Sequence, residues 1–474
     1  MRASLRSELV PMLRLAVPVV MAELGWMTMG VVDTLMVGGL GPEAISAVGI
    51  GASMHIAVAI FGMGVLLGLD TLVSQAYGAG DVTDCHRWLI DGLTLAAIMA
   101  VPITGVGLLL YFAIPSLGFH PAIAPPLQSY FLIVVFSTPF LLGYAACRRY
   151  LQGMHLATPV MFALISANIL NAVMDWALIY GHLGLPALGV SGAAWATLLS
   201  RVYMLAALAV AIWWSTSAEA TADKTVDGPA DKTHGPTWPV EWIDTARLRR
   251  LLTLGLPAAS QMLAEVGVFA LATALAGTLD PISGASHQIA LNLAGVAFMI
   301  PLGVGSAGAV RVGHAVGAGD RDRAAAAGWT AILISVAFML SSGALFVLFP
   351  HTLIGWFSSD PAVLRVGTSL LYLAAVFQLF DGIQGVITGT LRGLGDTRTP
   401  MIVNLGAHWL LGLPVSYTLC FVVGWGVWGL WVGLSLGLIV TGTILWWAWT
   451  MKIRQYLASS VSQAASRRPQ AHDL

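Results

Sequence analysis

Acidic residues within apolar sequence are the groups in this chain that could do chemistry. They lie at Glu23, Asp33, Asp70, Asp175, Glu265 and Asp381. An ionisable side chain inside a membrane is costly, so each one is a candidate for holding a proton or a small cation. The sequence contains no paired-histidine metal motif and no nucleophile elbow, and we therefore do not expect an enzyme.

One group of polar residues combines the types that bind a hard cation. Asn171 and Asp175 are four residues apart and share one face of a helix, and Asn168 lies one turn earlier. Thr197, in the next apolar stretch, could add a hydroxyl oxygen. These oxygens suit Na⁺, and the carboxylate could instead hold a proton. Interhelical hydrogen bonding is the alternative, and we favour it for Asn168.

A second group of acidic residues lies later in the chain. Glu265 is flanked only by apolar and small residues, surroundings in which a carboxylate readily takes up a proton. Pairing of Glu265 with His287 or Gln288 is the alternative. Asp381 follows Gln378 by one turn, and the two form a polar stripe on one helical face.

The remaining polar candidates have simpler explanations. Asp70, Asp81 and Asp320 lie near the ends of apolar stretches, where we expect them to cap helices or to pair with arginine. His55 is expected to be a packing residue. Glu23 remains open, as an accessory ion-binding residue or a structural one.

The composition places all these residues in a membrane protein. The chain has 474 residues, of which 57% are hydrophobic and only 9% are charged. Soluble domains carry roughly 25% charged residues. The net charge of −1 gives no basis for nucleic-acid binding, and three widely spaced cysteines suit neither disulfides nor zinc.

Membrane helices need about 20 apolar residues, and twelve candidate spans are found, at 11–37, 46–74, 88–112, 127–147, 159–181, 187–214, 249–276, 284–311, 325–349, 366–390, 400–422 and 427–450.

An internal repeat divides these spans into two halves. Residues 15–81 are echoed without a gap by residues 254–320, and both copies close on Gly-Ala-Gly-Asp. Each half then has six spans in the same order and orientation, a parallel repeat typical of secondary transporters. The predicted domains are a lobe over 1–214, a cytoplasmic linker over 215–246, a second lobe over 247–452 and a cytoplasmic tail over 453–474.

Lysine and arginine residues set the predicted orientation. Most of them lie in or beside the segments that follow even-numbered spans, whereas the other loops carry only Arg365. By the positive-inside rule, both termini are cytoplasmic.

Several segments together resemble the multidrug and toxic compound extrusion (MATE) transporters. They are VDTLMVGGLG (32–41), GLDTLVSQAYGAGD (68–81), LQGMHLATPVM (151–161), GVSGAAWATLLS (189–200), ASHQIALN (285–292), RVGHAVGAGD (311–320) and TLRGLGDTRTP (390–400). The resemblance implies an all-α integral membrane protein, with two six-helix lobes related by a pseudo-two-fold axis around a V-shaped central cavity. It also implies export of organic cations and other amphipathic toxins, driven by inward Na⁺ or H⁺.

The resemblance assigns roles to the candidate residues. Asp33 resembles the first-helix aspartate of the N-lobe cation site, with Asn171, Asp175 and Thr197 as its partners. Glu265 and Asp381 resemble acidic residues of the C-lobe. Both sets occur here, so the coupling lobe stays open. Where many relatives have glutamine in span 1, this chain has Trp26.

The leading hypothesis is a monomeric drug:cation antiporter of the bacterial inner membrane. It would act on small organic substrates, with Na⁺ or H⁺ as coupling ion and no cofactor. The alternative is a flippase for lipid-linked precursors, which would need arginine or lysine inside the spans to bind pyrophosphate. The spans offer almost no such bases, because Arg14 and Arg201 are expected near cytoplasmic ends.

Overall fold

Helices make up all the regular structure of residues 2–222 and 244–466, the part of the chain that the computed structural model describes. Lipid offers no hydrogen-bond partners, and a helix satisfies its own backbone, so apolar runs of this length fold as helices. Eleven helices of this part are long and apolar enough to cross a membrane, and one bent pair of helices supplies a twelfth span. The prediction of twelve spans is thereby confirmed.

The first half of the chain forms eight helices. They are α1 (Arg2–Val37), α2 (Pro42–Val65), α3 (Gly68–Gly78), α4 (Val82–Ala113), α5 (Ala124–Phe136), α6 (Thr138–Gly153), α7 (Ala157–Tyr180) and α8 (Val190–Ala222). The pair α5 and α6 forms the bent span, with an angle of 45° at Ser137. The sequence predicted one uninterrupted span over 127–147, so this break is a feature that hydropathy did not reveal.

The second half begins with a similar series. Its helices are α9 (Thr245–Gly277), α10 (Pro281–Gly317), α11 (Arg321–Leu348), α12 (Pro350–Gly355), α13 (Pro361–Gly393), α14 (Arg398–Asn404), α15 (Leu413–Tyr417) and α16 (Val427–Ser466). The π-helical segment Leu405–Gly412 joins α14 to α15, and a second one, Thr418–Val422, follows α15, so that all four segments form one span.

Helix ends differ from the predicted span ends mainly by extension. Helix α8 continues to Ala222 and so includes the first eight residues of the predicted linker 215–246. Residues 223–243 of that linker lie outside the described residues. The same holds for residues 467–474 of the predicted tail, whose earlier part continues α16.

The Gly-Ala-Gly-Asp repeat adopts the same turn in both halves. Gly80 and Gly319 have φ angles of +80° and +73°, a left-handed conformation that glycine adopts without strain. Asp81 then caps α4 by accepting from the Asp84 N–H at 2.8 Å, and Asp320 caps α11 by accepting from the Arg323 N–H at 2.9 Å. The expected capping role of both aspartates is confirmed.

The helices pack into two compact units. The first unit is Leu15–Val266, and the second unit combines Met1–Arg14 with Gly267–Leu474. In the first unit, α7 packs on α8, and α5 packs on both α2 and α8. In the second unit, α10, α11 and α13 pack on one another and α16 packs on α13.

The opening segment of α1 is fixed to the second unit by a buried ion pair. Glu8 accepts hydrogen bonds from the guanidinium groups of Arg311 and Arg323, the latter at 2.9 Å from Nε. Glu8 and Arg311 are both buried. This contact explains why α1 begins in one unit and continues in the other.

The opening segment of α9 is fixed to the first unit in the same way. Arg247 donates to Asp84 at 2.5 Å and to Asp91 at 2.6 Å, and its guanidinium lies 3.8 Å from the centroid of the Trp88 ring. A shift of 239 residues, the repeat spacing, matches Arg247 with Glu8. The same contact thus recurs in both halves with its charges reversed.

Candidate functional site

Helices α1 and α7 run side by side in close contact. The amide of Asn168 donates to the Gly25 carbonyl at 3.0 Å, and the hydroxyl of Tyr180 donates to the Met36 carbonyl at 2.6 Å. The two contacts lie three turns apart along both helices, so the helices keep the same register between them. The hydrogen-bonding interpretation of Asn168 is confirmed, and the adjoining faces of α1 and α7 lie close together between the two contacts.

Asp33, Asn171 and Asp175 meet in that interval. The carboxyl group of Asp33 lies close to the side chains of both Asn171 and Asp175. Asp33 is 6% exposed, and Asn171 and Asp175 are fully buried. The predicted juxtaposition of α1 and α7 residues is therefore present, with Asp33 four residues before the end of α1 and Asp175 five residues before the end of α7.

Thr197 joins this group from α8. Its hydroxyl oxygen lies 3.2 Å from Oδ2 of Asp33 and 3.0 Å from the Ala193 carbonyl. A hydroxyl has one proton to donate and can also accept. Thr197 can therefore donate to an ionised Asp33, or accept from a protonated Asp33 while donating to Ala193. We call Asp33, Asn171, Asp175 and Thr197 the acid cluster.

Several atoms of the acid cluster lack a hydrogen-bond partner among the described residues. They are Oδ1 of Asp33, both carboxyl oxygens of Asp175, and the amide oxygen and nitrogen of Asn171. Buried polar atoms are nearly always satisfied, and two facing carboxylates cannot both be ionised without a neutralising partner. A shared proton or a small cation would satisfy these oxygens.

The chemistry of the acid cluster favours a proton or an alkali cation over a transition metal. No group of three or more His, Cys, Asp or Glu side chains converges on a metal position anywhere in residues 2–222 and 244–466. Carboxylate, amide and hydroxyl oxygens are hard ligands, and such ligands do not select transition metals.

The repeat does not duplicate the acid cluster in the second half. Matching the two halves by their repeated segments places Ala272 at the position of Asp33 and Ser416 at that of Asp175. Leu434 takes the position of Thr197. The acid cluster is therefore a feature of one half only.

The two later acidic candidates belong to different units. Glu265 is half-buried in the part of α9 that belongs to the first unit, whereas Asp381 is buried in α13 of the second unit. Gln378, three residues before Asp381, is also buried, and it donates to the Ser342 hydroxyl at 2.9 Å. A joint role for Glu265 and Asp381 stays a prediction.

His287 is committed to partners other than acidic residues. The indole N–H of Trp431 donates to its Nδ1 at 3.0 Å, so the ring proton is on Nε2, which lies 3.0 Å from the Thr273 hydroxyl. Gln288 is exposed and lies 3.4 Å from the side-chain oxygen of Asn292. Both ring nitrogens of His287, the first alternative partner of Glu265, are thus already hydrogen-bonded to other residues.

Glu23 forms a buried ion pair with Arg148. Arg148 lies inside α6, which continues to Gly153. Asp70 pairs with Arg149 at 3.4 Å, which confirms the expected pairing of that aspartate with arginine. These ion pairs give Glu23 and Asp70 structural roles.

Arg201 is a buried base inside a span. The prediction that it lies near a cytoplasmic end is wrong, because α8 extends to Ala222 and Arg201 lies well inside it, 6% exposed. Its guanidinium donates to the Ser137 hydroxyl, and it lies 3.4 Å from Nδ1 of His55. The usable signal was its spacing of four residues from Thr197, which puts both on one helical face.

Comparisons with known proteins give one consistent result. The model of the MatE family matches residues 18–177 and 257–418. The chain is 35% identical over 468 residues to the multidrug resistance protein NorM of Burkholderia vietnamiensis, covering 96% of each protein. It is 35% identical over 442 residues to the multidrug resistance protein PmpM of Pseudomonas aeruginosa, covering 92% of this chain and 89% of the relative. Among solved structures, the eukaryotic MATE transporter AtDTX14 matches with a TM-score of 0.83 and 21% identity, covering 96% of this chain and 99% of that one.

Proposed function

Because the chain belongs to the MatE family of transporters, we propose that it exports multiple drugs by cation-coupled antiport. The exported compounds would be organic cations and other amphipathic molecules, and the coupling ion would be Na⁺ or H⁺. The observation that carries this proposal is the acid cluster, in which two buried carboxyl groups face each other with unsatisfied oxygens.

The acid cluster could couple the two fluxes by electrostatics. When Asp33 and Asp175 are not neutralised, their charge attracts a cationic substrate. Uptake of a cation removes that attraction and favours substrate release. Coupling of this kind requires a difference in affinity between two states, and alternating access would expose those states to opposite sides of the membrane. A potential of 100 mV supplies about 2.3 kcal/mol per charge moved.

Either coupling ion fits the donor set. Thr197 can donate to an ionised Asp33 or accept from a protonated one, because its hydroxyl also reaches the Ala193 carbonyl. The same hydroxyl, with the oxygens of Asn171 and Asp175, would provide oxygen ligands for Na⁺. Na⁺ and H⁺ are thus alternatives for one site.

A second coupling position at Glu265 and Asp381 is also part of the proposal. Both are acidic residues within membrane-length helices. A carboxylate is costly in a membrane, so its presence there indicates a function. Replacing each alone, as Glu265→Gln and Asp381→Asn, would show which of the two contributes to coupling.

Transport into proteoliposomes tests the proposal. Uptake of a fluorescent organic cation would be driven by a Na⁺ gradient and a pH gradient imposed separately, and only the gradient of the coupling ion is expected to drive it. Asp33→Asn and Asp175→Asn are expected to abolish this uptake. The matched control is Asp70→Asn, since Asp70 is an equally buried acid that is paired with Arg149. Full ion-driven uptake by both cluster variants would contradict the proposal.

The proposed setting is the bacterial inner membrane, with a monomer whose termini are both cytoplasmic. The length and composition of the helices and the bacterial relatives support this setting. All three native cysteines are buried, so a Thr225→Cys variant adds a thiol in the predicted linker that labelling can distinguish from them. An impermeant maleimide should label it only after cell lysis, and labelling of intact cells would contradict the topology.

The flippase alternative has weaker support. The first half does contain buried arginines, contrary to expectation, but each is already paired. Arg148 is bonded to Glu23, and Arg201 is bonded to Ser137 and His55. Pyrophosphate recognition needs basic groups that are available to the ligand. Binding of a lipid-linked pyrophosphate in preference to organic cations would favour the alternative.

A further inference from the structure

Arg201 lies one helical turn from the acid cluster. It follows Thr197 by four residues in α8, so the two side chains emerge on the same face, about 5–6 Å apart at Cβ. Thr197 touches Asp33, so Arg201 lies on the face of α8 that meets Asp33, one turn beyond that contact. A permanent positive charge is therefore built into the surroundings of Asp33.

The hydrogen bonds around Arg201 fix His55 in its neutral form. Arg201 can only donate, so Nδ1 of His55, 3.4 Å away, must accept. The ring proton is then on Nε2, which donates to the Thr138 hydroxyl at 3.1 Å. His55 therefore positions Arg201 without adding a second positive charge.

The break between α5 and α6 makes the burial of Arg201 tolerable. Ser137 accepts from Arg201 and donates to the Val134 carbonyl, and Thr138 donates to the Val135 carbonyl at 2.7 Å. These carbonyls lie in the last turn of α5, where the helix dipole presents partial negative charge. The guanidinium is thus held at the one end of α5 that favours a cation.

We propose that Arg201 is a positioning residue that serves as the resident countercharge of the acid cluster, so that the cluster takes up one monovalent cation per chain. The titratable groups around Arg201 are Asp33 of α1, His55 of α2 and Tyr130 of α5, and Asp175 of α7 lies next to Asp33. Two carboxylates and one guanidinium leave a net charge of −1, which one proton or one Na⁺ neutralises. The inference rests on the proposed function of the cluster.

The second half of the chain supports a functional link between Arg201 and the acids. Matching by the repeat places Leu438 at the position of Arg201 and Ala294 at the position of His55. The acids, the arginine and its histidine are thus all present in one half and all absent from the other.

Carbodiimide labelling tests the countercharge directly. Dicyclohexylcarbodiimide reacts with protonated buried carboxyl groups, and peptide mass spectrometry measures the labelled fraction of Asp33 and Asp175 as a function of pH. Without Arg201, protonation becomes easier, so Arg201→Gln should move the labelling profile to higher pH by about one unit or more. Arg201→Lys keeps the charge and should label nearly as the wild type does.

A matched control removes a different buried guanidinium together with its partner. The double variant Glu23→Gln with Arg148→Gln deletes an ion pair elsewhere in the first unit and should leave the profile in place. An Arg201→Gln profile that superimposes on the wild-type profile would overturn the inference. Since this readout does not depend on transport, it separates failure of the inference from failure of antiport.

A double-mutant cycle keeps the inference testable where Arg201→Gln folds poorly. The thermal penalty of Arg201→Gln should be smaller when Asp33→Asn is also present, because one charge of each sign is then removed. A double variant that is no better folded than Arg201→Gln alone would contradict a charge interaction between the two residues.

Discussion

Replacing Asp175 with asparagine should stabilise the protein at alkaline pH while abolishing ion-coupled transport. The introduced amide would have nearly the same shape as the native carboxylate but no charge. Asp175 is fully buried and faces the carboxyl group of Asp33. When both groups are ionised they repel each other, and the substitution removes that repulsion.

The size of the effect follows from the closeness of the two carboxyl groups. At about 4 Å and an effective dielectric constant of about 20, two like charges repel by about 4 kcal/mol. Arg201 offsets part of this repulsion, because its guanidinium interacts with Asp33. We therefore expect a gain of about 1–3 kcal/mol when both groups are ionised, and almost none at acidic pH, where one group holds a proton.

The buried cysteines provide the assay. Cys85, Cys147 and Cys420 are all buried, so a thiol-reactive fluorophore reports unfolding of either unit. Thermal unfolding midpoints of the wild type and of Asp175→Asn would be measured in detergent from acidic to alkaline pH. The difference between the two midpoints should grow with pH and reach a few degrees.

The matched control predicts the opposite sign. Asp70 is also buried, but it pairs with Arg149. Asp70→Asn removes one partner of an ion pair and should lower the midpoint. If Asp175→Asn lowered the midpoint at alkaline pH as Asp70→Asn does, the two carboxyl groups of the acid cluster would not repel each other and our interpretation of the cluster would be wrong.

Three further predictions concern other contacts. Thr197→Val should weaken the apparent affinity for the coupling ion by about tenfold, since a hydrogen bond to a charged group is lost. Thr197→Ser keeps the hydroxyl and should keep the wild-type affinity. Equal affinities of the two variants in ion-titrated transport would contradict the role of the hydroxyl. Glu8→Gln leaves the buried Arg311 without a carboxylate and should destabilise the protein by about 3 kcal/mol in thermal unfolding; an unchanged midpoint would show that the pair contributes nothing. Burial alone would raise the pKa of Asp396, but hydrogen bonds from Lys452 and the nearby backbone leave that pKa below its ordinary value. This stabilisation is present above about pH 4 and is lost as the pH falls further, so Lys452→Met should lower the midpoint at neutral pH and not in strong acid.

Local sequence patterns predicted the parts of the structure that depend on local chemistry. The Gly-Ala-Gly-Asp turns appear in both halves because glycine supplies the left-handed residue and aspartate supplies the cap. Asn171 and Asp175 share a face because they are four residues apart on a helix. The spans follow from hydropathy alone.

Contacts between distant residues could not be predicted in the same way. Glu23 and Arg148 are 125 residues apart, and nothing in either segment indicates the other. The break at Ser137 lies in apolar sequence, so hydropathy continued through it. Arg201 was misplaced for a related reason, because the partners that make its burial tolerable come from α2 and from that break.

Ion release on substrate binding tests most directly whether drug and coupling ion share the acid cluster. Tetraphenylphosphonium would be added to purified protein in weakly buffered detergent solution, with a pH indicator and a Na⁺ electrode following the released ion. The wild type should release H⁺ or Na⁺ on binding, and variants with Asp33→Asn or Asp175→Asn should release much less. Undiminished release from both variants would show that coupling does not pass through these carboxyl groups.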